Sequence, residues 1–148
     1  MNINTVITPD NIAAGVELTS KKRVLEMLSQ LMTAGYPELN PKILFEALMD
    51  RERLGTTGMG NGIAIPHGRI NGLEQAVGGF IQLKQAISFD APDNQPVDLV
   101  FGLLVPESAT AEHLELLSSI AQFFNNPENC AALRAAKDNI SILKLISD

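Results

Sequence analysis

Tryptophan is absent from this 148-residue chain, and tyrosine and cysteine each occur once. A lone thiol, Cys130, makes no internal disulfide, so the sequence points to a reducing compartment and a cytoplasmic protein. With alanines following it, Cys130 reads as a small buried apolar residue. So few flat aromatics leave no stacking platform for single-stranded nucleic acid. Basic residues are also scarce: 11 Lys and Arg against 17 Asp and Glu give a formal charge of −6. Affinity for a phosphate backbone runs on cationic surplus, which argues against nucleic acid as the main partner. Long apolar runs are missing too. The longest, Leu99 to Val105, spans seven residues with Gly102 inside it, whereas a membrane-spanning helix takes about 20. The N-terminal MNINTVITPD has neither the basic segment nor the apolar core of a secretory signal. No repeat, low-complexity tract or Pro/Ser-rich linker divides the chain, so one domain over residues 1–148 is expected.

What is present alternates between helical and extended periodicity. Ser20 heads a stretch in which Val24, Leu25, Leu28, Leu31 and Met32 share one face, with Gly35 as its stop, predicting a helix over 20–34. Asn40 and Pro41 open a second helix over 41–53, striped by Leu44, Phe45, Leu48 and Met49. Then five of the eleven glycines, Gly55, Gly58, Gly60, Gly62 and Gly68, crowd into GTTGMGNGIAIPHG. That stretch reads as a loop feeding a short strand, Ile63 to Ile65, which ends at Pro66-His67-Gly68. Val77 to Leu83 reads as a strand with a candidate bulge at Gly78-Gly79. Leu99 to Val105 reads as a strand covered on both faces. Ser88-Phe89-Asp90 suggests a further short strand before the turn APDNQP. Helical period returns after Thr110, with a stripe of Leu114, Leu117, Ile120, Ala121 and Phe124. Asn126-Pro127 starts a short helix, and Asp138 caps a last one carrying Ile140, Leu143, Leu145 and Ile146. Strands interleaved with helices imply an α/β layer fold.

Histidine is the natural side chain for group transfer near neutral pH, and the chain has two. His67, between Pro66 and Gly68 at a strand end, reads either as a polar strand-end residue or as a ring with one nitrogen free to meet a partner. His113 falls near the third position of the helix capped by Thr110. It reads either as a surface histidine or as a donor beside a phosphate, because a helix N-terminus offers unpaired N–H groups and partial positive charge to an anion. Arg51 closes the second helix, where it is either a solvated arginine or a bidentate phosphate clamp. The glycines of 55–62 would let backbone approach an anion, or simply form a mobile loop. No Gly-Lys-Ser/Thr follows them, and no G-x-G-x-x-G opens a helix, so neither nucleotide-binding fingerprint is met. Two distant histidines and one cysteine make a metal site unexpected, and no G-x-S-x-G elbow is present. Glu107, Glu112 and Glu115 near His113 read as partners of the helix dipole. Leu54 and Met59, if exposed beside the loop, would suit docking; packing reads equally well.

The run Gly60-Asn61-Gly62-Ile63-Ala64-Ile65-Pro66-His67-Gly68, preceded by Arg51-Glu52-Arg53-Leu54-Gly55, resembles the active-site signature of enzyme IIA proteins of the bacterial phosphotransferase system, fructose/mannitol type. GTTGMGNGIAIPHG is most similar to the nitrogen-related branch, and DNQPVDLVFGLLVP and His113-Leu114 carry the likeness across nearly the whole chain. The resemblance implies a mixed sheet of about five strands with helices on both faces. It implies that His67 is the phosphoacceptor, forming tele-phosphohistidine with phosphate from a histidine-phosphorylated HPr- or NPr-like carrier. It implies that His113 donates a hydrogen bond to the phosphoryl group, that Arg51 clamps it, and that Gly60, Asn61, Gly62 and Gly68 support the loop. No cofactor is implied. Arg69 stands where the family pattern has lysine. Regulatory targets in potassium transport, sensor kinases and nitrogen balance follow from the resemblance alone. Two other readings stand beside this one: a sugar-transport enzyme IIA passing phosphate to a IIB protein, and a binding or scaffold domain without chemistry.

Overall fold

The computed structural model describes residues 2–147. One six-stranded mixed sheet organises it: β1 (Ile12–Val16), β2 (Gly58–Gly60), β3 (Ile63–Ala64), β4 (His67–Ile70), β5 (Val77–Ile87) and β6 (Val97–Pro106). Five helices flank it: α1 (Lys21–Thr33), α2 (Pro41–Leu54), α3 (Ala111–Phe124), α4 (Pro127–Ala135) and α5 (Asn139–Ser147). The strand order is β1-β5-β6-β3-β2, with β4 also on β6. The centre, β5 against β6, is antiparallel, whereas β1 joins β5 and both β3 and β4 join β6 in parallel. The expected α/β fold is therefore present, with six strands where about five were expected. The additional pieces are short, and β1 (IAAGV) carries no alternation to reveal it.

Alternation along the two central strands sorts side chains into two cores. Phe80, Leu99, Phe101 and Leu103 face the layer of α3, α4 and α5. There Phe80, Phe101 and Phe124 meet with ring centroids 5.9–6.3 Å apart. Val77, Ile81, Val100 and Leu104 face α1 and α2, packing on Val24, Leu25, Leu28, Met32, Leu44 and Leu48. Gly79 pairs with Gly102 across the sheet and is no bulge. A Cβ at Gly102 would lie 3.1 Å from both Leu28 methyls, and one at Gly79 would lie 3.3 Å from Met32. These glycines thus let α1 settle onto the sheet. The register break falls later, between Gln82 and Ile87.

Caps set most helix ends. Ser20 accepts the Arg23 N–H, Asn40 that of Lys42, Asn126 that of Glu128 and Asp138 that of Ser141. The Ser141 N–H and hydroxyl hold the Asp138 carboxyl below its usual range. Gly35, at φ +84°, ends α1 in the left-handed region. Three expectations need correction. Ser88-Phe89-Asp90 is not a strand, because β5 runs on to Ile87 and Asp90 turns the chain at φ +55°. In α3 the buried stripe is Leu116, Ile120 and Phe124, while Leu114 is 61% exposed. In α5 Ile142 and Ile146 are buried and Ile140 faces out. Cys130 is buried as expected. Its thiol donates to the Phe124 carbonyl, and burial raises its pKa.

Candidate functional site

His67 opens β4, and the expected strand end is a strand interruption. β3 and β4 lie in succession along one edge of β6, Ala64 opposite Val100 and His67 opposite Leu103. Pro66 between them has no N–H for the ladder, but its carbonyl accepts the Leu103 N–H at 2.9 Å. The chain therefore continues past the proline along the same edge, and the His67 ring is held half-buried. Its Nδ1 lies 2.6 Å from the Ile65 carbonyl oxygen. A carbonyl only accepts, so Nδ1 carries the proton and Nε2 of the neutral ring keeps its lone pair.

His113 is the third residue of α3. It occupies the place a glutamate takes in a capping box: its Nδ1 accepts the Thr110 backbone N–H at 3.1 Å. With Nδ1 accepting, the ring proton of neutral His113 sits on Nε2, which is then a donor. Arg51 lies in the last turn of α2, and its Nη1 donates to the Gly55 carbonyl at 3.0 Å. That bond steadies the side chain and engages one of its five N–H groups.

These three side chains line one cavity of about 360 Å³. Gly68 and Arg69 also line it, together with an apolar wall that includes Leu103, Leu114 and Leu117. Positive character comes from Arg51, Arg69 and the start of α3. Among the described residues no group of three or more His, Cys, Asp or Glu is placed to hold a metal ion. Such a cavity suits a small anion bound against an apolar rim, with a nucleophilic nitrogen in its wall.

Arg51, His67, Gly68 and His113 are thus brought together, whereas Gly60, Asn61 and Gly62 are not among the residues lining the cavity. They form the turn between β2 and β3, with φ values of +95°, +58° and +82°. Asp93 accepts the Asn61 N–H, and Arg134 donates to the Asn61 carbonyl while pairing with Asp98. Two main-chain donors, Asn61 N–H first and then Gln95 N–H, hold the Asp93 carboxyl below its usual range. The glycine run shapes this hairpin and leads the chain to His67 without cradling an anion in the cavity. A Cβ at Gly68 would lie 3.5 Å from Leu104 Cδ2 and 3.9 Å from the Arg51 Cβ, so the position faces Leu104 and the stem of that arginine. Arg69 and Leu117 went unremarked as cavity residues. Strand alternation puts Arg69 on the His67 side, and a helical spacing of four brings Leu117 beneath His113. Leu54 and Met59 are 85% and 51% exposed, which settles them outside the core.

Residues 5–148 match the family described as "Phosphoenolpyruvate-dependent sugar phosphotransferase system, EIIA 2". The chain belongs to this enzyme IIA family. It is similar to the "Nitrogen regulatory protein" of Escherichia coli, 44% identical over 149 residues, covering 100% of this chain and 91% of the relative. Among solved structures it resembles the nitrogen regulatory protein IIA-Ntr of Neisseria meningitidis, with TM-score 0.91, 40% identity and coverage of 97% and 98% of the two chains. The mannitol IIA of Escherichia coli, at 21% identity and TM-score 0.78 over 95% of this chain and 98% of that one, shares the fold. Membership in this bacterial phosphotransferase family accords with an α/β chain in which, among the described residues, no helix is long and apolar enough to cross a membrane.

Proposed function

We propose that the chain is a phosphocarrier in which His67 Nε2 accepts a phosphoryl group from a histidine-phosphorylated HPr- or NPr-like protein. The observation that carries this reading is the Nδ1 contact with the Ile65 carbonyl, which assigns the lone pair to Nε2 in a cavity shared with Arg51 and His113. In the transfer, Nε2 forms a bond to phosphorus while the donor's P–N bond breaks. The bonding pair returns to the donor imidazole, which leaves neutral with a proton on its other nitrogen. The His67 ring, still protonated on Nδ1, takes up positive charge, and the Ile65 carbonyl stabilises it. Charge on the equatorial phosphoryl oxygens is met by the Arg51 guanidinium, by Nε2–H of His113 and by the α3 N-terminus. No metal is needed for these roles.

A phosphoryl group adds close to two negative charges. On a chain of net charge −6, a partner can then distinguish the two states electrostatically. The nitrogen regulatory names of the full-length relatives favour such a regulatory output. The family description, which names sugar phosphotransfer, keeps a transport role with a IIB acceptor as the second reading. Incubation with the phosphorylated HPr-like donor, followed by intact-mass analysis and site mapping, tests the carrier reading. One phosphoryl group at position 67 is expected, and an unlabelled chain or a label elsewhere overturns it. Onward transfer to a fructose/mannitol-type IIB protein would replace the regulatory reading by the transport one.

A further inference from the structure

Glu52 follows Arg51 in the last turn of α2 and points the other way. Its side chain is only 5% exposed. A carboxylate withdrawn from water needs donors, and this one has three bonds from a single residue. The Thr57 N–H reaches its two oxygens at 2.7 and 3.2 Å, and the Thr57 hydroxyl donates at 2.6 Å. The Lys21 ammonium stands 3.7 Å away, shared with Asp90 and the face of Phe89. Thr57 is itself buried. Its carbonyl accepts the Ile65 N–H at 3.0 Å, and the Ile65 carbonyl accepts His67 Nδ1–H at 2.6 Å. Hydrogen bonds thus link the four residues in series from a buried carboxylate to the ring, the links meeting at the backbones of Thr57 and Ile65.

We propose that Glu52 is the positioning residue of the phosphoacceptor, acting through Thr57 and Ile65. The turn of the hairpin is held by Asp93 and Arg134 and its second strand by the core, while Glu52 fixes the start of its first strand at Thr57. Glu52 pins Thr57 to the end of α2, and Thr57 pins the Ile65 peptide. The carbonyl of the next peptide, Ile65–Pro66, hangs from the same Cα and decides which ring nitrogen holds the proton and how the ring is turned. Arg51 belongs to the same helical turn, so a single rigid element places both the cation of the cavity and the support of the nucleophile. The short bonds from Thr57 to the carboxylate act by fixing position.

The tautomer of neutral His67, read from nitrogen–proton correlation spectra of the unphosphorylated chain, tests the proposal. Wild type is expected to hold its proton on Nδ1. Glu52→Ala is expected to yield a mixture of tautomers and labelling from the phosphorylated donor about tenfold slower, since small misplacements of a reacting group cost one to two orders of magnitude. Glu52→Gln retains an oxygen for the Thr57 N–H and is expected to keep the tautomer, with a rate within about threefold of wild type. Thr57→Val, which loses only the hydroxyl bond, serves where Glu52→Ala does not fold and is expected to shift the tautomer in the same direction. Ile142→Ala, a core variant in α5, controls for general destabilisation and is expected to leave the tautomer alone. A folded Glu52→Ala, or in its place Thr57→Val, with the wild-type tautomer and rate overturns the proposal. So does a Glu52→Gln variant as disturbed as Glu52→Ala, which would assign the effect to charge alone. The kinetic arm rests on the phosphocarrier reading. The tautomer arm does not, so an unlabelled wild type defeats that reading while the spectra still decide the role of Glu52.

Discussion

His67 and His113 stand in one cavity and are wired to the main chain with opposite polarity. Nδ1–H of His67 donates a hydrogen bond to a carbonyl at the break between β3 and β4. Nδ1 of His113 takes a hydrogen bond from the N–H that starts α3. The Nε2 atoms are consequently a lone pair in one ring and an N–H in the other. Two copies of one side chain become a nucleophile and a donor because a strand interruption offers a carbonyl where a helix start offers an N–H.

The sharpest way to break this comparison is to remove each ring in turn. His67→Gln is expected to abolish labelling by the phosphorylated donor; mass analysis showing a full phosphoryl group elsewhere would reverse the assigned roles. His113→Gln keeps an N–H donor in a different geometry. Labelling is expected to persist at position 67 but about 100-fold slower, as for loss of one oriented electrostatic contact. A label that moves, or an unchanged initial rate, would refute the donor role.

A smaller effect is expected at Arg51, which lines the same cavity. Arg51→Lys retains the charge but loses the planar fork and the bond to Gly55, and labelling is expected to slow about tenfold. A rate equal to wild type in a stopped-flow or quench assay would reduce Arg51 to a point charge. At the other end of α2, Asn40→Ala removes the cap on Lys42 and is expected to lower unfolding stability by about 1 kcal/mol, read in urea, with labelling unchanged. A labelling defect in that variant would mean that the whole helix, rather than its last turn, is tuned to the cavity.

The amphipathic stripes and caps of α1 and α2 were legible because local chemistry writes them: Ser20, Asn40 and Pro41 act within a turn of where they stand. The central strands were legible as apolar runs, although Gly79 read as part of a candidate bulge when it and Gly102 are in fact the seat of α1. β1 was not legible, since IAAGV is neither alternating nor continuously bulky and becomes a strand only by pairing with β5. In α3 the periodicity misassigned Leu114, because a helix beside a cavity carries apolar residues on two sides, one for the core and one for the rim. Arg51, His67 and His113 were singled out from their residue types and the family likeness. Gly60, Asn61 and Gly62 were adjacent to His67 in sequence, but their turn is tied to Asp93 and Arg134 instead.

From its own residues the chain determined the α/β layering, most helix starts and the candidate side chains, all of which depend on neighbours within about four positions. Tertiary structure alone decided that the end of α2, the break between β3 and β4, and the start of α3 converge on one cavity. It alone decided which nitrogen of each ring carries the proton. Those outcomes rest on which main-chain carbonyl or N–H the folded backbone brings within about 3 Å of a ring, and no local pattern encodes that distance.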